Sequence, residues 1–220
     1  MRLDLHSHTK FSPDSRTEPR ELVAAARRLG LDGLAITDHN AVAGIEAARD
    51  AAAPGFLLIP GTEVSTHDGH VLALGVRETV PRSLPVSETI DRIVALGGVP
   101  VAAHPYRFWS GLGEASTIRA RFPAYETANA RTLRRGNVRA QILAQAQIVG
   151  VTGGSDAHFL DEIGGAITFI DEGVTDVDSV LEAIVHARTR AQGSGRGAGG
   201  TVRYVTKCVG EWFLRGMRRI

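Results

Sequence analysis

The chain holds a single cysteine, Cys208, among its 220 residues. One thiol excludes an internal disulfide framework and a thiolate metal cluster, and it fits a reducing compartment, so a cytoplasmic location is expected. Also missing is any apolar run that approaches membrane-spanning length. The first residues enter strand-like sequence without the charged-then-apolar pattern of a secretory leader. Neither secretion nor membrane insertion is expected. Net charge is small as well, at +1. That near-balance hides an asymmetry, because residues 193–220 carry six arginines and lysines against Glu211, a local +5 that leaves the preceding body at −4. Apolar content of 43% and charged content of 22% are ordinary for a globular protein and exclude a disordered chain. The length suffices for one sizeable core, including an α/β barrel without a second domain.

Short apolar runs alternate with stretches of helical periodicity. Strands are expected over 3–5, 33–37, 56–60, 70–76, 99–103, 124–127, 149–152 and 166–170, and helices over 18–29, 41–52, 87–96, 134–147 and 177–187. Pro19 and Gly30 bracket the first helix, Ser87 and Gly97-Gly98 the third, and Asp68-Gly69 marks a tight turn. Repeated strand-then-helix order favours a parallel sheet with right-handed crossovers, closed into a barrel with helices outside. In such a fold, ligands gather at the carboxyl edge of the strands.

Six of the eight histidines stand near acidic residues at the ends of apolar runs. They are His6 and His8 in DLHSHT, His39 in TDHN, His70 in HVLALG, His104 in AHP and His158 in GSDAH, with Glu63 in GTEVS between them. Imidazole and carboxylate are the ligand types that divalent transition metals select, and several such clusters can build a polynuclear hydrolytic centre. The i, i+2 spacing of His6 and His8 in an extended segment sends both rings to one side. The same rule turns Asp38 away if His39 faces the site, which makes Asp38 a structural hydrogen-bond acceptor. His67 reads as a loop residue and His186 as a surface histidine.

The succession DLHSHT, TDHN, GTEVS, HVLALG, AHP and GSDAH resembles the PHP family, the polymerase and histidinol phosphatase domain of metal-dependent phosphoesterases, over about residues 1–190. The resemblance implies a distorted (βα)7 barrel of the PHP type with two or three divalent ions, manganese, zinc or iron, at the carboxyl ends of its strands. It implies that His6, His8 and Asp156 hold one ion, that Glu63 is shared with a second held by His70 and His104, and that Asp14, His39 and His158 hold a third. Glu63, Asp156 and His158 are then the candidate catalytic residues, around a hydroxide that bridges cations. Where the family usually shows Ser-Asp-Gly, this chain has Ser12-Pro13-Asp14-Ser15.

Arg107 and Arg131 are the preferred phosphate contacts, with Lys10 and Ser155 as further candidates near strand ends. Tyr106, Phe108 and Trp109 form an aromatic stretch that packs on a neighbouring helix or stacks on a base. A PHP-like domain is expected over 1–192, followed by a Gly-rich linker over 193–200 and a basic amphipathic helix over 201–220. That helix would dock on the body, join a second protomer into a homo-oligomer, or touch nucleic acid. The leading expectation is hydrolysis of a phosphate ester on a phosphorylated metabolite, a nucleotide or a short oligonucleotide end. The alternatives are a non-catalytic, metal-stabilised regulatory or nucleic-acid-binding module, and a carbon–nitrogen hydrolase with similar ligands.

Overall fold

The computed structural model describes residues 1–171 and 173–196, together with residues 206, 209, 210 and 213. Among them run nine strands, β1 Arg2–Asp4, β2 Gly33–Ile36, β3 Leu57–Ser65, β4 His70–Leu74, β5 Val99–Ala102, β6 Ala124–Asn129, β7 Gly150–Gly154, β8 Ala166–Phe169 and β9 Arg190–Gly193. Six α-helices accompany them, α1 Pro19–Arg28, α2 Ala43–Ala48, α3 Val86–Ala95, α4 Gly113–Ala120, α5 Arg134–Gln147 and α6 Val177–Val185. The strands form one mixed sheet in the order β7-β6-β5-β4-β3-β2-β1-β8-β9. It curls until the chain beyond β1 meets the chain at the end of β7, which makes a nearly closed barrel.

Not every strand is parallel. β1, β2 and β3 run together, as do β5, β6 and β7, but β4 is antiparallel to both β3 and β5. The physical reason is the short turn at Asp68-Gly69, which returns the chain as a hairpin and leaves no room for a crossover. As a result His70, at the start of β4, lies opposite Ser65 at the end of β3, on the same edge as the carboxyl ends of the parallel strands. β8 runs antiparallel to β1 and carries β9 outside it.

Strand alternation divides the core. Leu3, Leu5, Ala35, Ile59, Leu72, Leu74, Val101 and Ala124 face inward and pack with Val180, Leu181 and Ile184 of α6. Ile36 and Leu34 face outward against Leu22, Val23 and Ala26 of α1, and Val71, Ala73 and Tyr125 meet Ile93 of α3 and Leu143 of α5. Each such fully buried aliphatic side chain contributes about 1.5–3 kcal/mol.

Four further features depart from the sequence expectation. β3 continues past Pro60 to Ser65, because the missing N–H of Pro60 costs no ladder bond where β3 changes partner from β2 to β4. α4 has one buried residue, Thr117, and so carries no apolar stripe to read; β9, with no buried residue, shows no alternation. The expected linker begins inside the fold: Gly193 closes β9, and the Arg196 N–H donates to the Thr132 carbonyl at 2.7 Å. Residues 197–200 and most of the expected tail helix lie outside the described residues. No helix among the described residues is long and apolar enough to cross a membrane.

Candidate metal centre

Barrel closure builds half of the site. Past β1 and β7 the two chains exchange backbone hydrogen bonds, Leu5 N to Gly153 O at 3.3 Å, Asp156 N to His6 O at 2.7 Å and His8 N to Ala157 O at 2.9 Å. The approach demands glycine, since a Cβ on Gly154 would lie 2.3 Å from the His6 Cβ. This seam brings His6, His8, Asp156 and His158 together from opposite ends of the sequence.

The other half comes from the β3–β4 hairpin and β5. Ile59 and Glu63 share the inward face of β3, so alternation carries the Glu63 carboxylate into the top of the barrel, where it is 1% exposed. Its two oxygens face different partners. Oε2 lies 3.1 Å from His6 Nε2, 3.2 Å from His8 Nε2 and 3.5 Å from His39 Nδ1. Oε1 lies 2.7 Å from His70 Nδ1 and 2.8 Å from His104 Nε2. A third set surrounds Asp14, whose Oδ2 is 2.6 Å from His158 Nε2 and 3.6 Å from His39 Nε2.

All nine residues expected as ligands therefore converge. Donor atoms cluster as His6, His8, Glu63 and Asp156; as His8, Asp14, His39 and His158; and as His39, Glu63 and His70. His8 and His39 each stand in two sets, which the sequence does not reveal. Asp14 joins despite the replaced motif. Ser12 donates to its Oδ1 at 2.9 Å, and Ser15 and Thr17 tie the loop to the His158 carbonyl.

The donor set fits divalent cations. His8 Nε2, His39 Nδ1 and Asp156 Oδ1 are buried with no hydrogen-bond partner among the described residues. Each would cost about 1–3 kcal/mol if nothing satisfied it. Mixed nitrogen and oxygen donors suit manganese, iron and zinc.

Electrostatics agree. Burial opposes charge on Glu63 and Asp156, yet the surrounding imidazoles, with Arg107 at Asp156, hold both carboxyls well below the usual range. Burial likewise opposes charge on Asp14, which His158 and His39 keep low. Burial and Arg107 push His104 down to about 4; burial and Arg131 push His158 down to about 3. Both rings are thus neutral near pH 7, the form that ligates. His6 and His8 go the other way. Against the effect of burial, neighbouring carboxylates raise His8 to about 9 and His6 well above its ordinary value. Protons hold there the positive charge that cations would supply.

Sequence reasoning missed the residues that aim the ligands. Glu126, two residues along the inward face of β6 from Ala124, has Oε1 2.9 Å from His6 Nδ1 and accepts from the His104 N–H at 2.8 Å. A carboxylate at Nδ1 leaves Nε2 turned to the centre. Strand parity from Ala124 was the available signal. Asn129 donates to Glu126 and Asp156, both at 3.1 Å. Asp4 accepts from the backbone of His6, Ser155 and Gly164. His104 and Asp156 also adopt positive φ, 28° and 54°, a backbone cost borne by two of the candidate ligands.

The secondary candidates separate. Arg107 reaches Asp156 and, at 2.8 Å, Asn129, while Arg131, itself buried, reaches His158, so both guanidinium groups stand beside the candidate ligands. Lys10 turns away to Glu18 at 2.9 Å, and the Ser155 hydroxyl donates to the His6 carbonyl at 3.3 Å. Asp38 accepts from Thr9 through both oxygens, a structural bond. His67 and His186 are exposed. Phe108 and Trp109 are 85% and 89% exposed, so they are not buried against the described helices.

Comparison with known proteins gives the same picture. A sequence model of the PHP domain matches residues 4–153, and a model described as PHP-associated matches residues 134–189. An uncharacterized protein of Methanocaldococcus jannaschii is 37% identical over 117 residues, 48% of this chain and 68% of that protein. The 5'-3' exoribonuclease Rnm of Escherichia coli is 31% identical over 155 residues, 56% of this chain, and the match spans about half of that protein, 53%. Among solved structures, a two-domain protein of Bacteroides vulgatus containing a predicted PHP-like metal-dependent phosphoesterase superposes with a TM-score of 0.70 at 21% identity, covering 94% of this chain and 70% of that one. The motifs, the nearly closed barrel and the family match together make this chain a member of the PHP family of metal-dependent phosphoesterases.

Proposed function

We propose that this protein hydrolyses the phosphate ester of a phosphorylated metabolite, a nucleotide or a short oligonucleotide end, with His6, His8, Asp14, His39, Glu63, His70, His104, Asp156 and His158 holding two or three divalent ions. The observation that carries this reading is Glu63, one buried carboxylate whose two oxygens face separate sets of imidazoles. When bound, the cations supply Lewis acidity that makes water nucleophilic near neutral pH and offsets charge on the phosphoryl oxygens.

The chain's own residues supply the rest. Glu126 and the Asp156 carbonyl face the Nδ1 atoms of His6 and His158 and fix the ring orientations. Arg107 and Arg131, which both face Asp156, Arg131 at 3.9 Å, bind the non-bridging phosphate oxygens once that acid is engaged. His158, kept neutral by burial and Arg131, is better suited to ligation than to proton donation. Relatedness to the Rnm exoribonuclease supports a nucleic acid end among the substrate classes.

The test is a screen of phosphate esters with metal-stripped protein and manganese, zinc or iron added back. Turnover should require metal. Glu63→Gln should lower it by on the order of 10³-fold, the loss of several kcal/mol of charge stabilisation, without changing circular dichroism. Full activity in that variant, or ester hydrolysis indifferent to chelation, rejects the proposal.

A further inference from the structure

Beside the metal centre opens a cleft of about 470 Å³, a size within the ordinary range for small ligands. Tyr106, Phe108 and Trp109 line it with Arg135 and Arg139 of α5, and Arg107 and Arg196 add two more cations; among the described residues no carboxylate lines it, though Glu114 pairs with Arg139 at 3.5 Å. We propose that this cleft seats a nucleobase and its neighbouring phosphate, so that the ester reaching the centre belongs to a nucleotide or to the end of a single strand. This deepens the reading above and rests on it.

Three observations carry the inference. The first is that the exposed aromatics are held in place. Their loop is closed by backbone hydrogen bonds from Arg107 N to His104 O, Gly111 N to Arg107 O and Gly113 N to Pro105 O, and β4 grips it through His70 N to Ser110 O, all at 2.9–3.0 Å. Phe108 and Trp109 meet edge to face at 4.6 Å and keep most of their surface in water. Two large rings presented on a fixed loop form a stacking platform, and base stacking accepts any base.

The second is charge. A base flanked by phosphates pairs flat faces with anions, and here aromatic rings alternate with guanidinium groups. Arg139 lies 4.1 Å over the Tyr106 ring, and both are held through Glu114, to which Tyr106 donates at 2.7 Å.

The third is continuity. Arg107 lines the cleft and also touches Asp156, so a phosphate at the centre and a base on Phe108 and Trp109 belong to one bound molecule.

The test is calorimetric titration of manganese-loaded protein with three phosphonates whose P–C bond resists hydrolysis: ribose methylenephosphonate, a nucleoside methylenephosphonate, and the corresponding dinucleotide. The nucleoside compound should bind on the order of ten-fold more tightly than the ribose compound. Phe108→Ala/Trp109→Ala should erase that advantage and leave ribose binding within two-fold, while Trp109→Phe should restore much of it. Arg135→Ala/Arg139→Ala should weaken the dinucleotide more than the mononucleotide if an internucleotide phosphate lies there; equal effects assign the seat to free nucleotides. Equal affinity for ribose and nucleoside compounds, or an aromatic variant that binds both as wild type does, overturns the proposal while ester hydrolysis can still be observed. A base-dependent affinity with no turnover of any ester would sustain the cleft and reject the hydrolase reading.

Discussion

The two sides of the metal centre are built in different ways. On the hairpin side, Glu63 and His70 are seven residues apart and are positioned by the register of β3 on β4, a local pairing. On the seam side, His6 and His8 meet Asp156 and His158, 150 residues further along a chain of 220, through three backbone bonds and a glycine contact. Burial differs at one residue, for the His70 side chain is 18% exposed, while Glu63 and His104 are as enclosed as His6 and His8. One side is therefore a property of a hairpin and the other a property of the closed barrel, so only on the seam side should ligand geometry and global stability change together.

Glu63→Gln, described above, touches both sides and should have the largest effect on turnover. The sharpest way to break the comparison is Gly154→Ala. The added methyl would meet His6 at 2.3 Å and force the seam apart. Overpacking of this kind costs about 1–3 kcal/mol, or several degrees in melting temperature, and metal affinity should fall with it. His70→Ala, by contrast, should lower metal stoichiometry while shifting melting of the metal-free protein by less than about 2 °C. If Gly154→Ala melts like wild type and binds its full complement of metal, the seam does not govern the site.

A smaller effect is expected where ligands are only aimed. Glu126→Gln keeps the shape of the side chain but removes the charge facing His6 Nδ1. Loss of such a partner typically lowers metal affinity about 10–100-fold. The far-ultraviolet spectrum should stay unchanged, and titration of metal-stripped protein with manganese reads the shift. Unaltered affinity would show that His6 is oriented by the seam alone.

These residues also mark what was legible. The nine candidate ligands were legible through the family resemblance of the motifs that hold them, Asp14 despite a replaced one, because ligand chemistry restricts the residue types. The division into sets was not. His8 and His39 serve two groups because their rings lie 4.7 Å apart in space, a relation that no local spacing encodes. Most strands were legible from apolar runs, but the direction of β4 required reading the Asp68-Gly69 turn as a hairpin. β9 and α4 bury too little to leave a pattern. Glu126 stood in plain sight on the inward parity of β6, yet an acid inside a strand announces a role only once the barrel places His6 and His104 against it.

The smallest predicted effect separates protons from metals as the source of positive charge on the seam side. In the metal-free protein the folded pKa of His8 is raised to about 9, from an ordinary 6.5, by Asp156 and Glu63 working against burial. A raised base contributes stability that is complete below the unfolded value and is lost as pH rises through the folded one. His104 and His158 have the opposite sign. Depressed to about 4 and 3, they are neutral when folded, and stability is lost as pH falls below 6.5 because the unfolded chain takes up their protons. Metal-stripped protein should therefore melt lower at pH 9.5 than at pH 7.5, by a few degrees, about 2–4 °C for each kcal/mol. Manganese should remove that alkaline slope, since ligation demands neutral His8, and its addition at pH 7.5 should release protons measurable in a weakly buffered cell. His8→Asn subtracts every other alkaline titration. If the variant retains the full slope, His8 is not the group that exchanges a proton for a cation, and His6, raised in the same direction, carries the seam side's proton-linked charge.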